Sequence, residues 1–161
     1  MINKIQIVTI VLVIPLVALF MYSNSKGISI KEVFLPGVPT MHIGEIPVRV
    51  EIANTDAERV KGLSGRKSFS TSADGLLFVF PTTDYHSVWM KDMKFPIDLV
   101  WIGEDLKVIN VEKNVNPETY PKVFKPARPA RYLVETDVHF NDTFGLQAGY
   151  DVRLPLKYLE D

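Results

Sequence analysis

The chain has 161 residues, 47% of them hydrophobic and 23% charged, with a formal net charge of −1; that is the make-up of one globular domain with its own core. The first 26 residues carry Lys4 and Lys26 and no acid, which leaves 16 basic against 19 acidic side chains in the remainder, a balance that excludes a basic footprint for DNA or RNA. Cysteine is absent, so disulfides, thiolate nucleophiles and cysteine metal sites are excluded.

The run from Ile5 to Tyr22 holds no charge, and only Gln6 and Thr9 are distinctly polar. As a helix, its 18 residues span roughly 27 Å, close to the hydrocarbon thickness of a bilayer. A soluble helix would need a polar face that this run lacks. The length exceeds a usual signal sequence. Residues 1–26 are therefore expected to be an uncleaved signal anchor; the alternative is a secreted chain cleaved near Ser25. The expected orientation puts the globular part outside the cytoplasmic membrane. Residues 27–39, with Pro36 and Pro39, read as a linker, and residues 40–161 as the domain.

Residues 40–53 alternate on either side of Gly44-Glu45, which predicts a hairpin. Thr55-Asp56-Ala57-Glu58 is a capping box, so a helix is expected to start there and stop at Gly62 or Gly65. Ala57, Val60 and Leu63 would give it an apolar stripe. Residues 75–80, GLLFVF, form an unbroken apolar run that predicts a strand buried on both faces. Further strands are expected at 87–90, 98–102, 106–111 and 131–136, and a last short one at 152–154. A long loop is expected over 114–129, held down by Tyr120 and Phe124, and a helical turn over 141–146. No long helices separate the strands, so βαβ winding is not expected. The expected class is a β-rich α+β domain with a small barrel-like or sandwiched, mostly antiparallel sheet and one or two short helices.

Several stretches carry a family pattern. They are Glu58-Arg59 with Gly62-Leu63 and Arg66, then the 75–80 strand, then Trp89-Met90-Lys91 followed by Pro96-Ile97-Asp98. The run from Pro126 to Glu135 and the pair Gly145 and Gly149 complete it. In this order and spacing they resemble the DUF192 family of uncharacterised prokaryotic proteins over about residues 45–154. The chain departs from the family pattern at Ser64-Gly65, at Met93 and at Tyr150. The resemblance implies a compact β-rich domain, often exported, with no established activity.

The candidate chemistry is sparse. His42, His86 and His139 show no paired ligand spacing, and zinc needs three or four convergent ligands; no metal or cofactor is expected. Ser64 follows a helix rather than a strand, unlike a nucleophile elbow. Asp98 and Glu135 each fall in an apolar strand, where an unpaired charge is costly. Arg59, Arg66 and Arg131 are available partners, and a structural ion-pair network is the favoured reading of all five. Two others stay open: a carboxylate pair acting as acid and base in an envelope hydrolase, and arginines gripping an anionic ligand. Trp89 and Lys91 point to one face of their strand. Trp89 packs into the core or stacks on a ligand, and the core is favoured. The functional expectation is a membrane-anchored binding or accessory module for a small polar ligand, a glycan or an envelope partner. Its candidate face comprises Arg59, Trp89, Lys91, Asp98, Arg131 and Glu135. A structural or interaction protein with no small-molecule site is the remaining alternative.

Overall fold

The structure, a computed structural model, describes residues 38–156. The predicted anchor and most of the predicted linker lie outside those residues. Among the described residues no helix is long and apolar enough to cross a membrane.

The predicted hairpin forms as β1 (Thr40–Ile43) and β2 (Ile46–Ala53), paired antiparallel around a tight turn. The helix α1 (Asp56–Lys61) begins as its sequence dictates. Thr55 accepts from the Glu58 amide, and the Glu58 carboxylate accepts from the Thr55 amide. Those hydrogen bonds hold the Glu58 carboxyl below the usual carboxylate range. Thr55→Ala is expected to lower stability by about 1 kcal/mol, a normal value for a lost cap, measurable as a shifted urea midpoint.

The apolar stripe expected on α1 does not form as drawn. Leu63, beyond the helix, is buried, but Ala57 is exposed and Val60 is 85% exposed. The helix docks through Arg59 instead, which donates to the carbonyls of Asn54 and Val79 and pairs with Asp56. A short helix with one turn of contact is held as well by carbonyl-directed guanidinium bonds as by methyl groups.

The strand β3 (Gly75–Asp84) follows, and then a short pair, β4 (Val88–Trp89) with β7 (Val123–Phe124). The other long strands are β5 (Ile97–Ile102), β6 (Val108–Val115) and β8 (Ala130–Asp137). A helix α2 (Val138–Phe144) and the short β9 (Val152–Arg153) end the described chain. The seven-stranded sheet runs β6-β5-β8-β3-β2-β1-β9. Every pairing is antiparallel except β2–β3, which is parallel and joined through α1. One βαβ crossover thus exists where none was expected. The 21 residues between the two strands are ample for such a connection, even though the helix fills little of it.

The sheet curls into a half-barrel. Val152 donates to the Leu106 carbonyl, and Val108 to that of Tyr150, so the chain around β9 meets the start of β6. The inner face gathers Met41, Val48, Leu77, Val100, Val134 and Val152. The outer face carries a second cluster that includes Phe78, Phe80, Leu99, Trp101 and Leu133. This double burial is why the 75–80 run shows no alternation. Gly75 is required at the head of β3, because a Cβ there would lie 2.6 Å from the Glu135 carbonyl oxygen.

Candidate functional site

Register decides what the two strand carboxylates can do. Leu76, Glu135 and Leu99 form one cross-strand row, while Asp98 pairs with Thr136 in the next. Adjacent rows point to opposite faces of a sheet. Glu135 therefore belongs to the outer face and Asp98 to the inner one, and the sheet separates them. An acid–base pair made of these two groups is ruled out, since such carboxyls must face each other across one substrate.

Asp98 is fully buried and accepts from the backbone amides of Asn114 (2.8 Å) and Asn141 (3.1 Å). Burial pushes its carboxyl up, and the two amides pull against that. It fastens α2 and the end of β6 to β5, and it does not lie on an open face as the sequence had suggested. Asp98→Ala orphans both amides, so a loss of about 3 kcal/mol is expected, with ligand binding on the outer face unchanged in the folded fraction.

The outer face holds a cleft of about 770 Å³, within the range of small-molecule sites. Its floor is the β3–β8 surface with Phe78, Phe80 and Glu135. One wall is α1 and the turn after it, including Arg59, Val60 and Leu63. The other is the β3–β4 connection with His86 and Ser87, leading to Trp89 at the rim. The walls are tied together below the cleft: Ser64 Oγ donates to the Lys91 carbonyl and the Gly65 amide to that of Asp92. Gly62, with φ +44°, lets the α1 wall close on Phe78, whose ring would sit 3.3 Å from an added Cβ.

Glu135 is the unusual group in this cleft. It is 6% exposed, and its Oε2 is buried with no hydrogen-bond partner. Burial pushes its carboxyl up to about 8, opposed only by the charge of Arg66. The predicted arginine partnerships do not form. Arg59 is committed to Asp56 and two carbonyls, and Arg66 pairs with Glu51 at 2.7 Å. The ion-pair network expected for Asp98 and Glu135 is therefore absent among the described residues.

Trp89 is 52% exposed, which corrects the core reading. Its ring meets Tyr120 edge-on at 5.6 Å, with the Lys91 ammonium 5.8 Å from its centre. Of the six sequence candidates, Arg59, Trp89 and Glu135 line the cleft and Lys91 stands beside its rim. Asp98 is on the other face, and Arg131 lies outside the lining. Sequence reasoning missed Phe80 and His86, whose rings stack at 3.9 Å. A run buried on both faces gives no sign of which ring borders an opening.

A second cleft, of about 550 Å³, lies between the 67–74 loop and α2, with Phe69, Phe95, Phe140 and Phe144 among its lining. Asp74, its most enclosed acid, is held by Arg49, so no buried group there lacks a partner. Among the described residues no group of three His, Asp or Glu side chains is placed to hold a metal ion.

The DUF192 family profile, described as "Uncharacterized ACR", matches residues 39–154. The chain belongs to the DUF192 family. No curated protein matches this DUF192 chain significantly. Two solved structures share the fold. One is a protein of unknown function from Novosphingobium aromaticivorans DSM 12444, with a TM-score of 0.65 and 24% identity over 71% of this chain and 83% of that one. The other is a proposed transcription regulator from Sinorhizobium meliloti 1021, with a TM-score of 0.66 and 21% identity over 72% and 92%. At such identities the DUF192 likeness is one of fold alone.

Proposed function

We propose that this DUF192 domain is a binding module whose site is the outer-face cleft between α1 and β4. The observation that carries the reading is Glu135: a buried carboxyl without a partner, on the floor of a cleft with an exposed tryptophan at its rim. Buried polar atoms are normally satisfied, and one left unsatisfied at an opening is suited to a partner that arrives from outside. The half-exposed Trp89 offers a stacking surface at the mouth. A purely structural domain would gain by replacing Glu135 with an apolar residue, which weighs against the interaction-only reading.

In the same reading the chain is held by the apolar run from Ile5 to Tyr22 in the cytoplasmic membrane, with the domain on the extracytoplasmic side. The ligand then comes from the envelope or the medium.

The test is a thermal-shift screen of the full chain in detergent against glycans, nucleotides, metal salts and small aromatic compounds. A ligand that binds only the folded form raises the melting temperature by mass action. The expected result is a shift with at least one class that is lost in Trp89→Ala. A flat response to every class would refute the reading. Protease added to spheroplasts should remove the domain from the outside; protection would refute the orientation.

A further inference from the structure

We propose that the cleft takes an apolar or aromatic molecule headed by an uncharged amide-type group, whose N–H and C=O are read together by the Glu135 carboxyl. This rests on the binding reading above and names the ligand class. Glu135 lies between Leu76 and Leu99 of the neighbouring strands, makes no hydrogen bond through Oε2 and lines the cleft, so a molecule in the cleft can supply it with polar partners. Held at about 8 by burial, the carboxyl is protonated at neutral pH. A protonated carboxyl offers one donor and one acceptor side by side, and an amide presents the complementary pair. The floor and walls around it, with Leu63, Phe78, Phe80 and Met93, suit an apolar body, and Trp89 suits a flat one.

The charges at the cleft decide against a cationic head. Arg59 and Lys61 of α1 both line it, and the one other acid there, Asp56, is occupied by Arg59. Arg66 adds its charge from beyond α1, and β3 and β5 contribute only Leu76 and Leu99 beside Glu135. An incoming ammonium would meet the net positive charge of Arg59, Lys61 and Asp56 before one neutral carboxyl. His86 also lines the cleft, so any pH dependence has to be assigned with variants of Glu135 itself.

The experiment uses the full chain in dodecyl maltoside and follows tryptophan fluorescence, to which Trp89 contributes the exposed ring. The probes are benzamide and benzyltrimethylammonium, each at pH 6 and pH 9.5. Benzamide is expected to bind at pH 6 and to weaken at least fivefold at pH 9.5, where Glu135 is ionised. Glu135→Gln keeps a donor and an acceptor, so it should bind benzamide with no such pH dependence; this also removes His86 as the cause. Glu135→Leu should lose benzamide while keeping a cooperative melt. Benzyltrimethylammonium binding that strengthens towards pH 9.5 would overturn the amide assignment and leave the binding module intact. Equal benzamide affinity in Glu135→Leu and in the unaltered chain would also overturn it. Failure of both probes, with a flat thermal-shift screen, would remove the binding module as well.

Discussion

Glu135→Gln makes the domain more stable at neutral and alkaline pH and leaves it nearly unchanged at pH 4.5. The Glu135 carboxyl moves from its ordinary 4.5 to about 8 on folding. A raised acid pKa means that the folded state holds a proton the unfolded state has released. The native state is therefore unpenalised below pH 4.5, loses stability as pH climbs between 4.5 and 8, and loses no more above that. Each pKa unit corresponds to about 1.4 kcal/mol, so the full loss is about 5 kcal/mol by pH 9, and about 3 kcal/mol at pH 7. Glutamine has nearly the same shape and never ionises, so it escapes the penalty. Urea midpoints at pH 4.5, 7 and 9 should show the variant and the unaltered chain together at the first and increasingly apart at the others. Coincident midpoints at pH 9 would mean that Glu135 is paired or solvated after all.

The two tryptophans should respond in opposite ways to truncation. Trp101 is 0% exposed on the outer face of β5, stacked at 6.3 Å from Phe80 and in one cross-strand row with Phe78 and Leu133. Removing it leaves a large cavity in a close-packed cluster, and Trp101→Ala should cost about 4 kcal/mol. Trp89 rests on Tyr120 and is half in water, so Trp89→Ala should cost about 0.5 kcal/mol, as at an ordinary surface position, while abolishing ligand-induced shifts. Denaturant midpoints of the two variants decide this directly. A cost above about 2 kcal/mol for Trp89→Ala would return that residue to the core and weaken the site.

Much of the architecture was legible in the residues because it is locally encoded. Thr55 and Glu58 announce the helix start through a reciprocal hydrogen bond that needs no tertiary partner. The run from Gly75 to Phe80 announces a doubly buried strand because both of its faces are covered. The site was less legible because it depends on register. Asp98 and Glu135 look alike as acids in apolar strands, and only the pairing of Asp98 with Thr136 and of Leu99 with Glu135 shows that they face opposite ways. The partners of Arg59 were equally hidden. Nothing in its neighbours says that the guanidinium will take the Val79 carbonyl, 20 residues on, rather than a strand carboxylate. Trp89 was misplaced for a related reason: β4 pairs only with the two-residue β7, so its alternation says nothing about the main sheet.

The parallel β2–β3 pairing shows the same limit. Sequence spacing favours hairpins where helices are short, yet here the six residues of α1 suffice because Arg59 and Leu63 supply the docking contacts. The same crossover puts α1 above the β3–β8 surface, and the cleft is the space it leaves uncovered. Fold and candidate site thus share one structural cause.

The most direct measurement is the titration of Glu135 itself, by carbon-13 NMR of the labelled side-chain carboxyl, assigned by its loss in Glu135→Gln. A buried, unpaired carboxyl facing the cleft should titrate with a midpoint about 8. Its midpoint should move further up when an amide-headed ligand binds the protonated form. A midpoint near the ordinary 4.5 would contradict the account, because it would show Glu135 solvated or paired and leave the cleft without its defining group.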